Sequence, residues 1–144
     1  MKNGVEMDFY DPEYQPDVKL TYSVIGATYK GMWVFVRHQK RTTYEIAGGH
    51  IEEGESSFQA AERELMEETG AINFSLFCIC TYSVTMDGET GFGRLYYAEI
   101  TEIGDIPDMS EIGEVILSDT LPVNLTHPFI QPKLFEKVQE FLRD

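Results

Sequence analysis

The chain has 144 residues, of which 42% are hydrophobic and 12% aromatic, a composition that argues against disorder and fits one domain with its own core. Its formal net charge of −14 excludes a nucleic-acid polymer as the default partner, because a phosphate backbone needs a positive protein surface. No apolar run reaches the roughly 20 residues that span a bilayer, and the first residues lack the apolar core of a signal peptide. We therefore expect a cytoplasmic protein without membrane contact.

The first part of the chain is predicted to be extended. Residues 1–17 contain Pro12 and Pro16 and are expected to form an extended leader before a domain of residues 18–144. Runs of β-branched and aromatic residues then predict three strands, at residues 18–29, 32–37 and 42–47. The third strand is expected to lead into a loop at a pair of glycines, where the backbone can approach a neighbour closely.

A helix is predicted over residues 57–69. Apolar residues recur there at helical spacing, at Phe58, Ala61 and Leu65. Ser56 and Gln59 have the spacing of a capping box, and Gly70 follows as a left-handed stop.

The second half of the chain is predicted to form a hairpin, a short strand and a final helix. These elements are expected at residues 72–85 and 93–100 around Asp87-Gly88, at 115–117 and at 132–142. With about six or seven strands and two helices, the pattern suggests an α/β/α sandwich on a mixed sheet. Cys78 and Cys80 are expected to face the core from one side of a strand, because residues i and i+2 share a face.

Three glutamates crowd the last turns of the predicted helix at residues 57–69. Glu64, Glu67 and Glu68 lie three and four positions apart, where like charges repel, and the negative end of the helix dipole adds to the penalty. A bound divalent cation would relieve both effects. The alternative is a solvated acidic face, since glutamate is also a good helix former.

Residues 49–71 resemble the signature of the Nudix hydrolases, G-x5-E-x7-R-E-U-x-E-E-x-G-U. The matching positions are Gly49, Glu55, Arg63, Glu64, Leu65, Glu67, Glu68 and Gly70. The one departure is the last position, where the signature prefers a bulkier aliphatic residue and this chain has Ala71. The resemblance implies a Nudix-type α/β/α sandwich with a catalytic helix at residues 57–69, and hydrolysis of nucleoside diphosphates linked to another moiety.

Carboxylate and carbonyl oxygens are hard ligands that suit Mg²⁺ or Mn²⁺. The resemblance implies that the metal ligands are Glu64, Glu67 and Glu68, joined by the carbonyl oxygen of Gly48. It also implies that Arg63 orients the glutamates and that Glu55 supports them. The general base stays open between Glu67, Glu68 and Glu111, the last of which lies in an acidic loop before the final predicted strand.

A basic run precedes the glycine pair in this acidic chain. Arg37, Lys40 and Arg41 are three of only eleven lysines and arginines, and they are candidates for binding substrate phosphates. The alternative is a basic turn that serves solubility. Gly49 is expected to let the substrate approach the backbone closely. Four aromatic residues are candidates for stacking on a base, although core packing is the more common role: Tyr44, Tyr82, Phe92 and Tyr96.

Two classes of function compete most closely. The first is a metal-dependent hydrolase that cleaves the pyrophosphate linkage of a nucleoside di- or triphosphate or a nucleotide conjugate, by in-line attack of a metal-activated water. The second is a Nudix-like domain that senses such a nucleotide without cutting it. An acidic, cation-binding scaffold is a third reading, which explains the charge but not the glycines or Arg63. The expected partner is a small-molecule nucleotide, and the expected assembly is a monomer or homodimer.

Overall fold

The computed structural model describes residues 4–143, and within that range seven strands form one mixed sheet with two helices. In chain order the elements are β1 (Val5–Tyr10), β2 (Tyr22–Tyr29), β3 (Met32–His38), β4 (Ala47–His50), α1 (Ser57–Thr69), β5 (Ala71–Met86), β6 (Glu89–Ile103), β7 (Ile112–Ser118) and α2 (Gln131–Arg143). The strand order is β1-β5-β6-β2-β3-β7, and β4 pairs with the first half of β2. Strands β2 and β6 run parallel, whereas the other pairs are antiparallel. Neither helix is long and apolar enough to cross a membrane, as judged over the described residues.

The two helices cover opposite faces of the sheet. On β6, Tyr96 and Ala98 belong to the core beneath α1, whereas Leu95 and Tyr97 belong to the core beneath α2. Successive side chains of a strand point to opposite faces, so this alternation places one helix on each side. The α/β/α sandwich on a mixed sheet, predicted from the sequence, is confirmed.

The predicted central helix is confirmed at both ends. Helix α1 begins after Ser56, whose side chain accepts a hydrogen bond from the Gln59 amide while the Gln59 side chain accepts one from the Ser56 amide. It ends at Gly70, which has a φ of 79° and donates to the Met66 carbonyl. One detail differs: Phe58 is not an inward residue but is 45% exposed, with its ring edge against Tyr96.

The third strand is not where the sequence predicted it. We expected residues 42–47 to pair, but the strand is β4, which begins at Ala47 and includes both glycines. Only isolated bridges occur before it. The reason is packing against β2: a Cβ on Gly48 would lie 2.7 Å from the Ser23 carbonyl oxygen and 2.7 Å from a methyl group of Val24. The glycines therefore allow close strand pairing, where we expected a loop.

Other strand ends shift by a few residues. Strand β2 begins at Tyr22 and not at residue 18, because its pairing with β6 begins opposite Gly93. The extended leader expected over residues 1–17 contains β1, which pairs with the far end of β5. Residues 1–3 of that leader, and residue 144 of the expected domain, lie outside the described residues.

The two cysteines do not share a face, contrary to the prediction. The register between β5 and β6 shifts between Cys78 and Cys80, so that Cys78 lies opposite Tyr96 and Cys80 opposite Leu95. The extra residue, Ile79, reverses the alternation of side chains, as a β-bulge does. Cys78 consequently packs on the α1 side and Cys80 on the α2 side.

Candidate active site

The buried stripe of α1 carries one of the three crowded glutamates inward. Ala61 and Leu65 are fully buried beneath the helix, and Glu68 follows Leu65 by three positions on the same side. Glu68 is only 8% exposed. One of its carboxylate oxygens accepts a hydrogen bond of 2.9 Å from the backbone amide of Gly48 on β4. The helix and the glycine strand are thus joined through this carboxylate.

Burial favours the protonated form of Glu68. Loss of solvent is the main cause that raises its pKa to about 8, and the negative charges of Glu64, Glu45 and Glu67 raise it further. The Gly48 amide acts in the opposite direction without cancelling the rise. Burial also raises the pKa of Glu64, against the opposing effect of Arg63. Like charges and burial thus act together on Glu68, whereas Arg63 offsets part of their effect on Glu64.

Arg63 organises the rest of the acidic helix face. Its guanidinium donates to both carboxylate oxygens of Glu55, at 2.7 and 2.9 Å. It also donates to Glu64 at 2.7 Å, to Glu67 at 3.4 Å and to the carbonyl of His50 at 3.0 Å. The hydrogen bonds from Arg63 are the main cause that lowers the pKa of Glu55 to about 2. One planar fork therefore connects α1 to the end of β4 and to the preceding loop.

Gly49 lets the helix approach the strand. A Cβ at this position would overlap the carboxylate of Glu64. Because Gly49 has no side chain, the Glu64 carboxylate lies directly against the β4 backbone. The neighbouring amide of Gly48 donates its hydrogen bond to Glu68. The backbone of the glycine pair is therefore in contact with two of the glutamates, Gly48 with Glu68 and Gly49 with Glu64.

The oxygen donors suit a divalent cation in kind, since carboxylates and a backbone carbonyl are hard ligands. Among residues 4–143, however, no three acidic, histidine or cysteine side chains are close enough together to form a ready-made metal site. Arg63 draws Glu64 and Glu67 to itself, whereas Glu68 turns towards the Gly48 amide.

His38 lies among acidic side chains that the sequence analysis did not connect. Its Nε2 atom is 3.4 Å from Glu45 and 3.7 Å from Glu68, and its Nδ1 atom is 3.8 Å from Glu111. The last of these partners is 86% exposed and stands on the loop before β7. Pairing of β3 with β7 sets His38 opposite Ile112 and so brings it next to Glu111, a contact between distant residues that no local pattern reveals.

The three residues of the basic run, Arg37, Lys40 and Arg41, differ in their contacts. Arg37 binds Glu114 at 3.3 Å and the carbonyl of Arg41 at 3.1 Å, so its guanidinium holds the turn together. Arg41 is half exposed, 3.5 Å from Glu45, and Lys40 is exposed with no hydrogen bond or ion pair to any described residue. Lys40 is therefore the member of the run whose side chain has no partner among the described residues, whereas Arg41 is paired with Glu45.

A cavity of about 620 Å³ opens beside the glycine pair, on the α2 side of the sheet. Aromatic and imidazole rings line much of it, with apolar side chains and a glutamine at its inner end. Its lining includes Tyr22, His50, Tyr82, Val84, Gln131 and Leu134. Volumes of this size are typical of small-molecule sites. A larger surface depression of about 820 Å³ lies at the β1 edge between Tyr10 and Phe141, and none of the candidate site residues lines it.

The stacking candidates are separated by the fold. Tyr82 lines the cavity and Tyr44, Phe92 and Tyr96 do not. Tyr44 donates its hydroxyl to Glu114 at 2.7 Å, and Tyr96 shares a hydrogen bond with Ser57 on the other side of the sheet. Tyr22 and Gln131 also line the cavity, but no pattern in the sequence marks them, because their position there depends on contacts between distant residues.

Comparison with known proteins gives a consistent result. A family model described as the NUDIX domain matches residues 20–115. The chain is 30% identical over 125 residues to YtkD of Bacillus subtilis (strain 168), which carries the provisional name 8-oxo-dGTP diphosphatase. That match covers 87% of this chain and 77% of YtkD.

Two solved structures give the same fold. The Bacillus subtilis pyrophosphohydrolase BsRppH superposes with a TM-score of 0.77 at 26% identity, covering 95% of this chain and 90% of that one. The NUDIX domain of Shewanella oneidensis NrtR, solved with ADP ribose, superposes with a TM-score of 0.67 at 18% identity, covering 90% and 94%. At 18% identity, the match to NrtR supports the fold alone.

Proposed function

This chain belongs to the NUDIX family, and on that premise we propose that it is a divalent-cation-dependent hydrolase cleaving the pyrophosphate linkage of a nucleoside di- or triphosphate or nucleotide conjugate. The family match and the relatives named as a diphosphatase and a pyrophosphohydrolase support the reaction class. The observation that carries the proposal is the Glu68 carboxylate. It is buried at the Gly48 amide among three other carboxylates, and Gly48 also lines a cavity of a size typical of small-molecule sites.

Glu64, Glu67, Glu68 and the Gly48 carbonyl are the groups we assign to hold Mg²⁺ or Mn²⁺. When bound, the cation supplies positive charge to phosphate oxygens and lowers the pKa of a bound water. The fit rests on the hard oxygen donors that these groups supply and on the raised pKa values of Glu64 and Glu68, which a nearby positive charge would lower.

The remaining residues are assigned to orient the metal ligands, to accept a proton or to bind the substrate phosphates. Arg63 holds Glu64 and Glu67 at the helix surface and keeps the β4 end in place, so we assign it an orienting role. Glu111 is the accessible carboxylate next to His38, and we assign its free oxygen the removal of a proton from the attacking water. We assign Lys40 and Arg41 to the substrate phosphates. Arg41 would exchange its contact with Glu45 for a phosphate, whereas Arg37 is held by both Glu114 and the carbonyl of Arg41.

Replacement of Glu111 tests the choice of base. We expect Glu111→Gln to lower kcat by about 10²- to 10⁴-fold, the usual range for loss of a general base. Folding should be unchanged because the side chain is exposed and the Glu111 carbonyl still accepts from Gln39. Turnover and thermal unfolding of the variant would be measured beside Glu114→Gln, which removes a neighbouring carboxylate bound to Arg37. Unaltered kcat in Glu111→Gln would remove this residue from the mechanism.

A substrate panel tests the reaction itself. Purified protein would be incubated with nucleoside triphosphates, nucleoside diphosphates, ADP-ribose and a 5′-triphosphorylated RNA, with Mg²⁺ and with a chelator. We expect release of phosphate or pyrophosphate from small nucleotides only when the cation is present. Tight binding without turnover would instead support the sensor function. Preferred cleavage of the RNA would contradict a small-molecule partner.

A further inference from the structure

Strand β5 has one side that is only partly covered by another strand. On one side it pairs with β6 from Ala71 to Met86, whereas on the other side β1 pairs only with residues 81–86. Among residues 4–143, no strand pairs with that second side of residues 71–80. The backbone N–H and C=O groups that point away from β6 there are therefore left without a strand partner.

This free edge of β5, residues 71–80, lacks the charges that usually protect an exposed strand. Proteins commonly place charged residues or proline on such an edge to prevent pairing with another chain. The 16 residues of β5 include neither. Shifts of register, which can also disrupt an edge, lie next to Asn73 and between Cys78 and Cys80. Residues 74–78 pair regularly with β6, and this is the length of a common strand, so a further strand can pair with them.

The free edge also offers an apolar contact on the α2 side of the sheet. Phe77 is 47% exposed, and its ring stacks on Tyr97 with 6.3 Å between centroids. The ring of Phe141 on α2 lies 6.4 Å from that of Phe77. A strand paired with residues 74–78 would place alternate side chains beside these rings and cover the exposed part of Phe77.

The depression of about 820 Å³ at the β1 edge lies at one end of the free edge. Ile79 and Cys80, the last residues of the free edge, form part of its wall. Four aromatic side chains also line it: Phe9, Tyr10, Tyr14 and Phe141. A chain paired with the free edge could therefore place a large apolar side chain in the depression.

The charged groups of the depression favour a basic partner. Its lysine is already engaged, because the Lys137 Nζ atom lies 3.5 Å from Glu140 and 4.8 Å from the centroid of the Phe9 ring. Asp11 and Glu13 are exposed, and their side chains have no hydrogen bond or ion pair to any described residue. A second copy of this chain would bring a net charge of −14 to the same surface. Charge complementarity therefore favours a partner with lysine or arginine over self-association.

We propose that the free edge of β5 and the adjoining depression form a docking surface for an extended, basic segment of another protein. The segment adds a strand to residues 74–78, and its backbone bonds to the unpaired N–H and C=O groups. It places an aromatic or aliphatic side chain in the depression and lysine or arginine beside Asp11 and Glu13. None of the residues assigned to hydrolysis lines the depression, so the inference stands independently of the proposed function.

The experiment begins with selection of random linear peptides, displayed on phage, against the immobilised full chain. We expect the enriched peptides to combine several lysines or arginines with an aromatic residue. A synthetic copy of the most enriched peptide is then the probe, and its Kd is measured by fluorescence anisotropy. Amide hydrogen exchange locates the probe: saturating peptide should slow exchange within residues 74–78 by about tenfold or more. Exchange in β7, at the other edge of the sheet, should not change.

Substitutions at the surface test the charges and the edge separately. Asp11→Asn combined with Glu13→Gln should raise the Kd of the probe by about three- to tenfold, through the loss of two exposed ion pairs. The matched control is Asp119→Asn combined with Glu136→Gln, at exposed acids that do not line the depression, and it should leave Kd unchanged. Ser75→Lys places a like charge on the free edge and should raise Kd by about tenfold or more. Thermal unfolding would show that each variant is folded.

The inference is overturned if selection enriches no basic peptide, or if the probe binds without slowing exchange in residues 74–78. An unchanged Kd in the variant that lacks both acids would also contradict it. Sedimentation of the free protein tests the other occupant, because a dimer that protects the same amides would assign the free edge to a second copy. Each of these results leaves the proposed hydrolysis standing, since none of the measurements involves turnover.

Discussion

Glu68→Gln is expected to abolish hydrolysis, by about 10³-fold or more, while making the metal-free protein more stable. Glutamine keeps an oxygen that accepts from the Gly48 amide, so the link between α1 and β4 is preserved. It carries no charge, so a ligand for the cation is lost together with the cost of burying an anion. Activity and stability should therefore change in opposite directions.

The stability effect has a definite pH window. The pKa of Glu68 is raised in the folded protein, from an ordinary value of 4.5 to about 8, so the fold favours the protonated form. The stabilising effect of that proton is complete below about pH 4.5 and is lost as the pH rises through about 8. Glu55 acts outside this window, because its pKa is lowered to about 2 and its contribution is lost only in stronger acid. Metal-free protein should accordingly lose stability between pH 5 and pH 8.

Thermal unfolding with a chelator measures this effect directly. The parent Tm should fall from pH 5 to pH 8, and Glu68→Gln should remove most of that fall and raise Tm at pH 8 by roughly 5 to 10 °C. Glu62→Gln is the matched control, since this glutamate is on the same helix and its side chain has no hydrogen bond or ion pair within residues 4–143. It should change neither activity nor the pH slope. A Glu68→Gln variant that retains turnover would refute the assignment of Glu68 as a metal ligand.

Arg63→Lys is expected to reduce kcat by about 10- to 100-fold, the range usual for residues that orient metal ligands. Lysine keeps the positive charge but loses the fork that binds Glu55 at two points while also reaching Glu64 and the His50 carbonyl. The glutamates would then lose their common orientation. We also expect acid unfolding to begin at a higher pH, because the low pKa of Glu55 depends chiefly on its hydrogen bonds with Arg63.

Two measurements separate orientation from charge. Metal titrations of activity should show a raised half-saturating Mg²⁺ concentration in Arg63→Lys, and acid titrations should show the shifted unfolding midpoint. Arg143→Lys, at the exposed end of α2, should alter neither quantity. If Arg63→Lys had parent values of kcat and of metal dependence, the charge alone would suffice and the orienting role would be wrong.

The parts of the structure that were predicted correctly are those determined locally. Helix α1 was found at its observed bounds because its capping residues, its stop at Gly70 and its apolar spacing all lie within one short segment. The location of β4 depended on β2, which packs so closely that only glycine fits at position 48. The faces of Cys78 and Cys80 depended on a bulge in the pairing of β5 with β6. No local pattern reports such pairings.

The same division holds for the candidate site. The acidic helix face was visible from the sequence because its residues are neighbours along one helix. The cavity draws on several strands and on α2, so Gln131 had no distinguishing signal in the chain. Arg37 shows a contact that adjacency in sequence does not reveal, because pairing of β3 with β7 brings Glu114 to its guanidinium. Its contact with a substrate phosphate stays a prediction.

The most direct test of the account is whether the acidic helix face binds the cation. Free Mn²⁺ would be measured by electron paramagnetic resonance at pH 8 for the parent protein and for a Glu64→Gln, Glu68→Gln double variant, with Glu62→Gln as the control. We predict that the parent and the control bind Mn²⁺ and that the double variant loses this binding and its nucleotide hydrolysis together. Equal Mn²⁺ binding by all three proteins, or nucleotide hydrolysis by the double variant at the parent rate, would contradict the account.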